Sequence, residues 1–333
     1  MPELSTQPTA LIILGVHRSG TSALTGLMDL LGWQSPAHQI PKLPQNPKGF
    51  FESRPAARLN DALLEHFDQT WRDLRPNPVF DGALPWLEEE KARARTLIEE
   101  EFGEVPFLVF KDPRLCRLLP FWKEVFEDAR TPVKAIFTMR HPKEVAQSLK
   151  VRNGLSPSHG MLLWIADTLR AEHASRGMPR AFTSYPRLLE EPKAELKRLI
   201  TLLDLPFKDR VSKRSKQIDG FLDAGLRHHA TPKEAGLRRP LLEVFTILSE
   251  WSTTGENPRD HAALDEIRIY LESIIAHAAT AQINDNRRIN MLYSALTLLS
   301  TSRGGGLFDQ EQSRFVRIVS ELAIAGLDAV SER

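Results

Sequence analysis

The sequence predicts an α/β fold in which a central parallel sheet lies between layers of helices, followed by a helical C-terminal region. Three observations support this prediction. Short apolar runs recur along the first two thirds of the chain, at 10–16, 106–110, 133–139 and 181–184. A helical pattern follows each run, and strands that alternate with helices form parallel βαβ units. Polar clusters begin where the runs end, as in sheets that bind ligands at the carboxyl ends of their strands.

The length of 333 residues is enough for one large α/β domain with an appendage, or for two small domains. We predict a flexible N-terminus over 1–9, an α/β domain over 10–235 and a helical extension over 236–333. The extension is a candidate surface for homo-oligomerisation. Its helical patterns lie at 258–281, 284–301 and 308–331.

Composition and charge exclude several classes of protein. The net charge of +1 argues against bulk binding of nucleic acid. The single cysteine, Cys116, excludes an internal disulfide framework and a cysteine-rich metal site. The sequence contains no run of about 18 apolar residues, so we expect no transmembrane helix. The polar N-terminus lacks the features of a signal peptide, so we expect a cytoplasmic protein.

The first strand runs into a glycine-bounded turn at residues 15–22, Gly-Val-His-Arg-Ser-Gly-Thr-Ser, and a helix is predicted over 22–31. Glycines let the backbone approach an anion, and the amides at a helix start point at it. The spacing is that of a P-loop, except that Thr21 replaces the lysine that reaches the β- and γ-phosphates of a triphosphate. This P-loop-like turn therefore suits a compact anion, such as a 5′-phosphate carrying a sulfuryl group. Its candidate ligands are His17, Arg18, Ser19, Gly20, Thr21 and Ser22.

A long loop and two helices separate the first strand from the second. Four prolines exclude a regular helix over 33–49. Helices are predicted over 53–68, where Ser53 is a possible N-cap, and over 86–102. Loops of this length are uncommon without a function.

A second candidate anion site follows the third strand, where Arg140 stands at the strand end. Ser148 lies eight residues on, about two turns along the next helix. Taken alone, Arg140 would be interpreted as a surface salt bridge. Next to the turn at 15–22, it predicts a ligand with two separated phosphates.

Together the two motifs resemble those of sulfotransferases that use 3′-phosphoadenosine 5′-phosphosulfate, over roughly residues 10–205. The turn is most similar to that of tyrosylprotein and bacterial carbohydrate sulfotransferases. The resemblance implies that the turn binds the 5′-phosphosulfate and that Arg140 and Ser148 bind the 3′-phosphate. It also implies that Tyr185, after the fourth strand, lies by the adenine. The implied reaction is in-line transfer of a sulfuryl group from this co-substrate to an acceptor hydroxyl, and it requires no metal.

The resemblance also suggests the catalytic groups. Cytosolic members of the family carry a catalytic histidine two residues after a lysine at a strand end. That lysine resembles Lys111, but Pro113 stands in place of the histidine. In the tyrosylprotein branch the base is a glutamate after the first helix, which makes Glu52 the leading candidate and leaves Asp112 as the alternative. Lys111 and Arg18 would stabilise negative charge on the sulfuryl oxygens.

Some parts of the expected site are not assigned by the sequence. The C-terminal Arg-Lys-Gly element of cytosolic members is absent, and the basic run at 208–216 or the segment 227–229 could replace it. The acceptor is expected to be a small molecule or glycan, with a carbohydrate or glycolipid hydroxyl implied by the resemblance. Its specificity is expected from 33–80 and the C-terminal helices, with Trp71 as a possible wall of the acceptor cleft.

Two other functions stay open at this point. One is a P-loop nucleotide kinase or hydrolase, in which Asp112 would close the magnesium-binding strand although the lysine at position 21 is missing. The other is an inactive nucleotide-binding scaffold whose helical tail is the interaction surface.

Overall fold

Four parallel strands form the centre of the protein in the order β2-β1-β3-β4. They are β1 (Thr9–Leu14), β2 (Phe107–Phe110), β3 (Val133–Met139) and β4 (Arg180–Ser184). The computed structural model describes residues 8–44, 46–76, 80, 84–222, 237, 239–279, 289, 292 and 293. The predicted central parallel sheet is confirmed, with strand ends that differ from prediction by one or two residues.

Helices fill the segments between and after the strands. Those before β3 are α1 (Thr21–Leu31), α2 (Arg54–Glu65), α3 (Leu87–Phe102) and α4 (Leu115–Asp128). Those around β4 are α5 (Pro142–Asn153), α6 (Pro157–Ala174), α7 (Tyr185–Glu190), α8 (Pro192–Leu202), α9 (Lys208–Lys213) and α10 (Ser215–Phe221). The remaining helices of the described part are α11 (Leu241–Thr254) and α12 (His261–Ala279), with a 3₁₀ turn at Pro258–Asp260 before α12.

The helix predictions hold with small changes at the ends. Ser53 caps α2 by accepting a hydrogen bond from the amide of Ala56, but α2 ends at Glu65 rather than near residue 68. The pattern at 258–281 begins as the 3₁₀ turn and continues as α12. The predicted helices at 308–331 and, apart from residues 289, 292 and 293, at 284–301 lie outside the described residues, as do residues 1–7.

Alternate residues of β1 face two separate cores, which is why the sheet is covered on both sides. Ile12 and Leu14 lie in the larger core with α3 to α6, α11 and α12. Leu11 and Ile13 lie in the second core with α1 and α8. Each fully buried aliphatic side chain of this size stabilises the fold by about 1.5–3 kcal/mol. The three-layer arrangement therefore follows from a strand that is apolar on both faces.

The strand order locates the crevice of the sheet. From β1 the chain proceeds to β2 on one side, and from β3 it proceeds to β4 on the other. The segments after these adjacent strands thus diverge, and such a switch point is where open α/β sheets bind ligands. Within the described residues, no helix combines the length and the apolar character that a membrane span requires.

Candidate active site

A cavity of about 290 Å³ lies at the carboxyl end of the sheet. Its walls come from the segments that follow all four strands, from the loop before α2 and from α10. All predicted site residues line it except Ser19 and Ser148. The predicted residues in its wall are His17, Arg18, Gly20, Thr21, Ser22, Glu52, Lys111, Arg140 and Tyr185.

The turn after β1 is shaped by close contacts that only glycine allows. Gly15 has a φ of +147°, and a Cβ there would collide with the carbonyl oxygen of Thr138 in β3. Gly20 has a φ of +91°, and a Cβ there would collide with the Tyr185 ring. Gly20 also precedes α1 without a capping side chain, so the amides at the start of α1 remain for a ligand. Ser19 is buried behind the turn, where its carbonyl accepts a hydrogen bond of 3.3 Å from Thr138 Oγ1.

Arg18 connects the turn to the second predicted motif. It has a φ of +71°, and its Nε donates a hydrogen bond of 2.8 Å to Ser148 Oγ on α5. Arg140, at the end of β3, pairs with Glu144 at 2.7 Å and lies 5.0 Å from the centre of the Tyr185 ring. The strand order thus brings the two motifs into one site. Tyr185 packs between Gly20 and Arg140.

A third arginine lines the same part of the cavity. Arg152 stands four residues after Ser148 on α5, with its guanidinium 5.3 Å from the Phe50 ring. Burial, together with the charges of Arg152 and Arg140, lowers the pKa of Arg18 to about 10. Because the three guanidiniums repel one another, an anion bound among them would be stabilised.

Glu52 and Lys111 form a buried ion pair with 2.5 Å between Oε1 and Nζ. Lys111 Nζ also donates a hydrogen bond of 3.0 Å to Ser22 Oγ, which Asn46 Nδ2 contacts at 3.4 Å. Burial raises the pKa of Glu52 even though the Lys111 charge opposes it. The two residues predicted as base and sulfuryl contact are therefore in direct contact beside the turn.

Asp112, the alternative base, has a different environment. Its Oδ1 accepts hydrogen bonds from the amide of Arg114 at 2.8 Å and from Arg114 Nη1 at 3.1 Å. Arg114 Nε in turn donates to Asp61 at 2.6 Å. Although burial alone would raise the pKa of Asp112, the charge and hydrogen bonds of Arg114 lower it below its usual value. Its neighbours Lys111, Pro113 and Arg114 line the cavity, whereas Asp112 does not.

His17 packs on Trp71 with 4.4 Å between ring centroids and 48° between ring planes. Its Nε2 is shielded from solvent and has no hydrogen-bond partner among the described residues. Burial and the nearby Arg114 charge lower the pKa of His17 to about 3, so the ring is neutral at physiological pH.

The basic run at 208–216 does not line the cavity, so the structure provides no support for it as a substitute phosphate site. Arg210 instead donates a hydrogen bond of 2.9 Å to the carbonyl of Leu31, at the end of α1. The segment 227–229 lies outside the described residues. Sequence reasoning missed Arg152, although its i+4 spacing from Ser148 places both on one helix face.

Comparison with models of protein families identifies the family of this chain. A model of the sulfotransferase family matches residues 10–209. Among solved structures, the sulfotransferase domain of the Synechococcus PCC 7002 olefin synthase is 18% identical, with a TM-score of 0.42, over 74% of this chain and 97% of that domain. The sulfotransferase domain from the curacin biosynthetic pathway is 16% identical, with a TM-score of 0.36, over 90% and 100%. Curated proteins yield no significant match.

Proposed function

The chain belongs to the sulfotransferase family, and we propose that it transfers a sulfuryl group from 3′-phosphoadenosine 5′-phosphosulfate to a carbohydrate or glycolipid hydroxyl. The single observation that carries the choice of donor is the 2.8 Å hydrogen bond from Arg18 to Ser148. This bond joins the P-loop-like turn to a second anion site 130 residues away. The turn lacks the lysine that contacts the phosphates of a nucleoside triphosphate in P-loop enzymes. A donor with phosphate groups at both its 5′ and 3′ positions matches such a pair of sites.

Each end of the donor has its own partners in this proposal. The amides and hydroxyls of Thr21 and Ser22 bind the 5′-phosphosulfate at the start of α1. Arg140, Ser148 and Arg152 bind the 3′-phosphate. Hydrogen bonds from an arginine to a phosphate are worth about 1.5–3 kcal/mol each.

The chemical step then needs charge stabilisation and one proton transfer. The acceptor oxygen attacks sulfur, the bond between sulfur and the bridging oxygen breaks, and 3′-phosphoadenosine 5′-phosphate leaves. Arg18 and Lys111 stabilise the negative charge on the sulfuryl and bridging oxygens. Glu52 accepts the proton of the attacking hydroxyl. Donor binding draws the Lys111 ammonium toward the sulfuryl oxygens, which releases the Glu52 carboxylate for the acceptor.

The kinase alternative has less support from the geometry. A magnesium-dependent P-loop enzyme needs a carboxylate at the end of a neighbouring strand to hold the metal. Asp112 occupies that position, but it is paired with Arg114 and does not line the cavity. The phosphate-contacting lysine is replaced by Thr21.

Titration calorimetry with three nucleotides tests the donor. We expect 3′-phosphoadenosine 5′-phosphate to bind at least about tenfold more tightly than adenosine 5′-phosphate, because the 3′-phosphate gains charge-assisted contacts. Magnesium should leave this affinity unchanged. Equal affinities for the two nucleotides, or preferential binding of magnesium ATP, would contradict the proposal.

A further inference from the structure

We propose that His17 and Trp71 form the acceptor subsite, and that this subsite takes a polyol ring such as a sugar. The apolar face of the ring packs on the Trp71 indole, and a hydroxyl next to the reacting one hydrogen-bonds His17 Nε2. The inference rests on the proposed sulfotransfer to a hydroxyl and adds the residues that select the acceptor.

The first observation is that His17 Nε2 has no hydrogen-bond partner among the described residues. A buried polar atom without a hydrogen-bond partner is destabilising, so most buried polar atoms in native proteins are paired. Nε2 of His17 is an exception, and the residue lines the cavity directly before Arg18. Lys111 and Glu52 line the same cavity as the imidazole. A neutral imidazole offers one donor and one acceptor nitrogen, which suits a hydroxyl group.

The position of Trp71 is the second observation. Its indole lines the cavity and is half-buried, although a tryptophan in a loop could pack wholly into the core. The guanidinium of Arg72 lies over the indole, 5.2 Å from its centre. Arg72 is exposed, so its side chain can leave the indole to a ligand ring. An aromatic face of this kind packs well against the C–H face of a sugar.

The third observation is that two buried arginines hydrogen-bond the loop that carries Trp71. Buried Arg117 contacts the carbonyls of Asp73 and Arg75, the latter at 3.1 Å, and the side chain of Gln69. Buried Arg170 donates a hydrogen bond of 2.8 Å to the carbonyl of Leu74. Two buried arginines thus fix an irregular segment, and a binding wall fixed in advance loses less entropy on binding.

Saturation-transfer difference NMR tests the subsite with defined probes. The protein, saturated with 3′-phosphoadenosine 5′-phosphate, is offered the methyl glycosides of glucose, galactose, mannose and N-acetylglucosamine, and cyclohexylmethanol as a ring without neighbouring hydroxyls. We expect the ring protons of at least one glycoside to receive saturation, and cyclohexylmethanol to receive far less. The signal should fall about tenfold in Trp71→Ala and markedly in His17→Phe, which keeps the ring but removes Nε2.

His66→Phe is the matched control, because His66 stacks on Trp86 at 4.0 Å and neither residue lines the cavity. It should leave the glycoside signal unchanged. Nucleotide affinity, measured on each variant, shows whether that variant is folded. The same measurement on wild-type protein tests the proposed donor. If the nucleotide binds normally but no glycoside binds, or if glycoside binding survives both Trp71→Ala and His17→Phe, the subsite is overturned. Failure of wild-type protein to bind the nucleotide would instead overturn the donor assignment.

Discussion

At the level of single residues, the proposed mechanism uses the Glu52–Lys111 pair to link donor binding to proton removal. The Glu52 carboxylate and the Lys111 ammonium lie 2.5 Å apart, and both side chains are buried. The charge and hydrogen bond of Lys111 oppose protonation of this carboxylate. When the sulfuryl oxygens compete for the ammonium, the same carboxylate becomes a stronger base, because its burial favours the protonated form. The proposal thus couples the basicity of Glu52 to the presence of the donor.

Replacing Glu52 by glutamine tests this coupling. Glu52→Gln keeps shape and hydrogen bonding but cannot accept the proton, so we expect turnover to fall about 10²-fold or more. Nucleotide affinity should stay within a few-fold. Turnover is measured as release of 3′-phosphoadenosine 5′-phosphate with an acceptor glycoside. Because burial raises the Glu52 pKa, wild-type turnover should fall with decreasing pH already above 4.5, the ordinary pKa of a glutamate. His17, with its pKa of about 3, stays neutral over the pH range in which turnover falls.

Asp112→Asn serves as the control for this prediction. Asp112 holds the turn after β2 through its contacts with Arg114. Its replacement should therefore lower the free energy of unfolding and have little effect on turnover. The assignment is wrong if Glu52→Gln turns over normally while a well-folded Asp112→Asn is inactive. Asp112 would then be the base.

At the level of elements, one face of α5 carries the residues proposed to bind the 3′-phosphate. Glu144, Ser148 and Arg152 follow at intervals of four residues, and Arg140 stands four residues before Glu144. Positions i and i+4 lie one above the other on a helix, so a single helix supplies both the hydroxyl and the cation. This face explains how the 3′-phosphate could be held without the C-terminal element of the cytosolic enzymes.

Arg152→Ala should therefore weaken binding of 3′-phosphoadenosine 5′-phosphate by about tenfold, the loss of one charge-assisted contact. Affinity for adenosine 5′-phosphate should change little, because that nucleotide lacks the 3′-phosphate. Lys150→Ala is the matched control, since Lys150 carries the same charge on α5 but is exposed and outside the cavity lining. Equal losses in both variants, measured by calorimetry, would show that only the general charge of α5 matters.

The elements themselves were largely predictable, and the contacts between them were not. The apolar runs and the glycine-bounded turn fix local structure, so Arg18 and Arg140 could be placed at strand ends. The hydrogen bond from Arg18 to Ser148 depends on β1 and β3 being neighbours, which no local pattern states. Arg152 carries no signal beyond its helical spacing from Ser148.

At the level of the whole molecule, sequence reasoning reached the fold class and the edge of the sheet that forms the site. It could not pair His17 with Trp71, because the two rings come from loops far apart in a chain with six tryptophans. Nor could it show that the basic run at 208–216 does not line the cavity, since charge runs look alike in sequence. Both outcomes depend on tertiary packing.

An ion-pair network connects the C-terminal helices to the sheet. Arg180, at the start of β4, contacts Glu172 of α6 at 2.9 Å and Glu256, between α11 and the 3₁₀ turn, at 2.5 Å. His261, the first residue of α12, lies 2.6 Å from Glu256. Arg176 adds a contact of 2.6 Å to Asp265 of α12. Arg180 and Glu172 are almost fully buried, so each neutralises the other in a medium of low dielectric constant.

Arg180→Met should therefore cost about 1.5–3 kcal/mol in the free energy of unfolding at neutral pH, because it removes charge-assisted hydrogen bonds to buried Glu172, which keeps Arg176 as its other partner at 2.7 Å. Lys213→Met, which breaks an exposed pair with Asp209, is the control and should leave the free energy of unfolding almost unchanged. Burial alone would raise the pKa of Glu256. The hydrogen bonds that Glu256 accepts from Arg180 outweigh this effect and lower the pKa below its usual value. That stabilisation is present above pH 4.5 and is lost as the pH falls through the lowered pKa. The gap between wild type and Arg180→Met in urea unfolding should then narrow toward acid pH. An equal cost in the two variants, or a gap that widens in acid, would show that the network does not hold the C-terminal helices to the sheet.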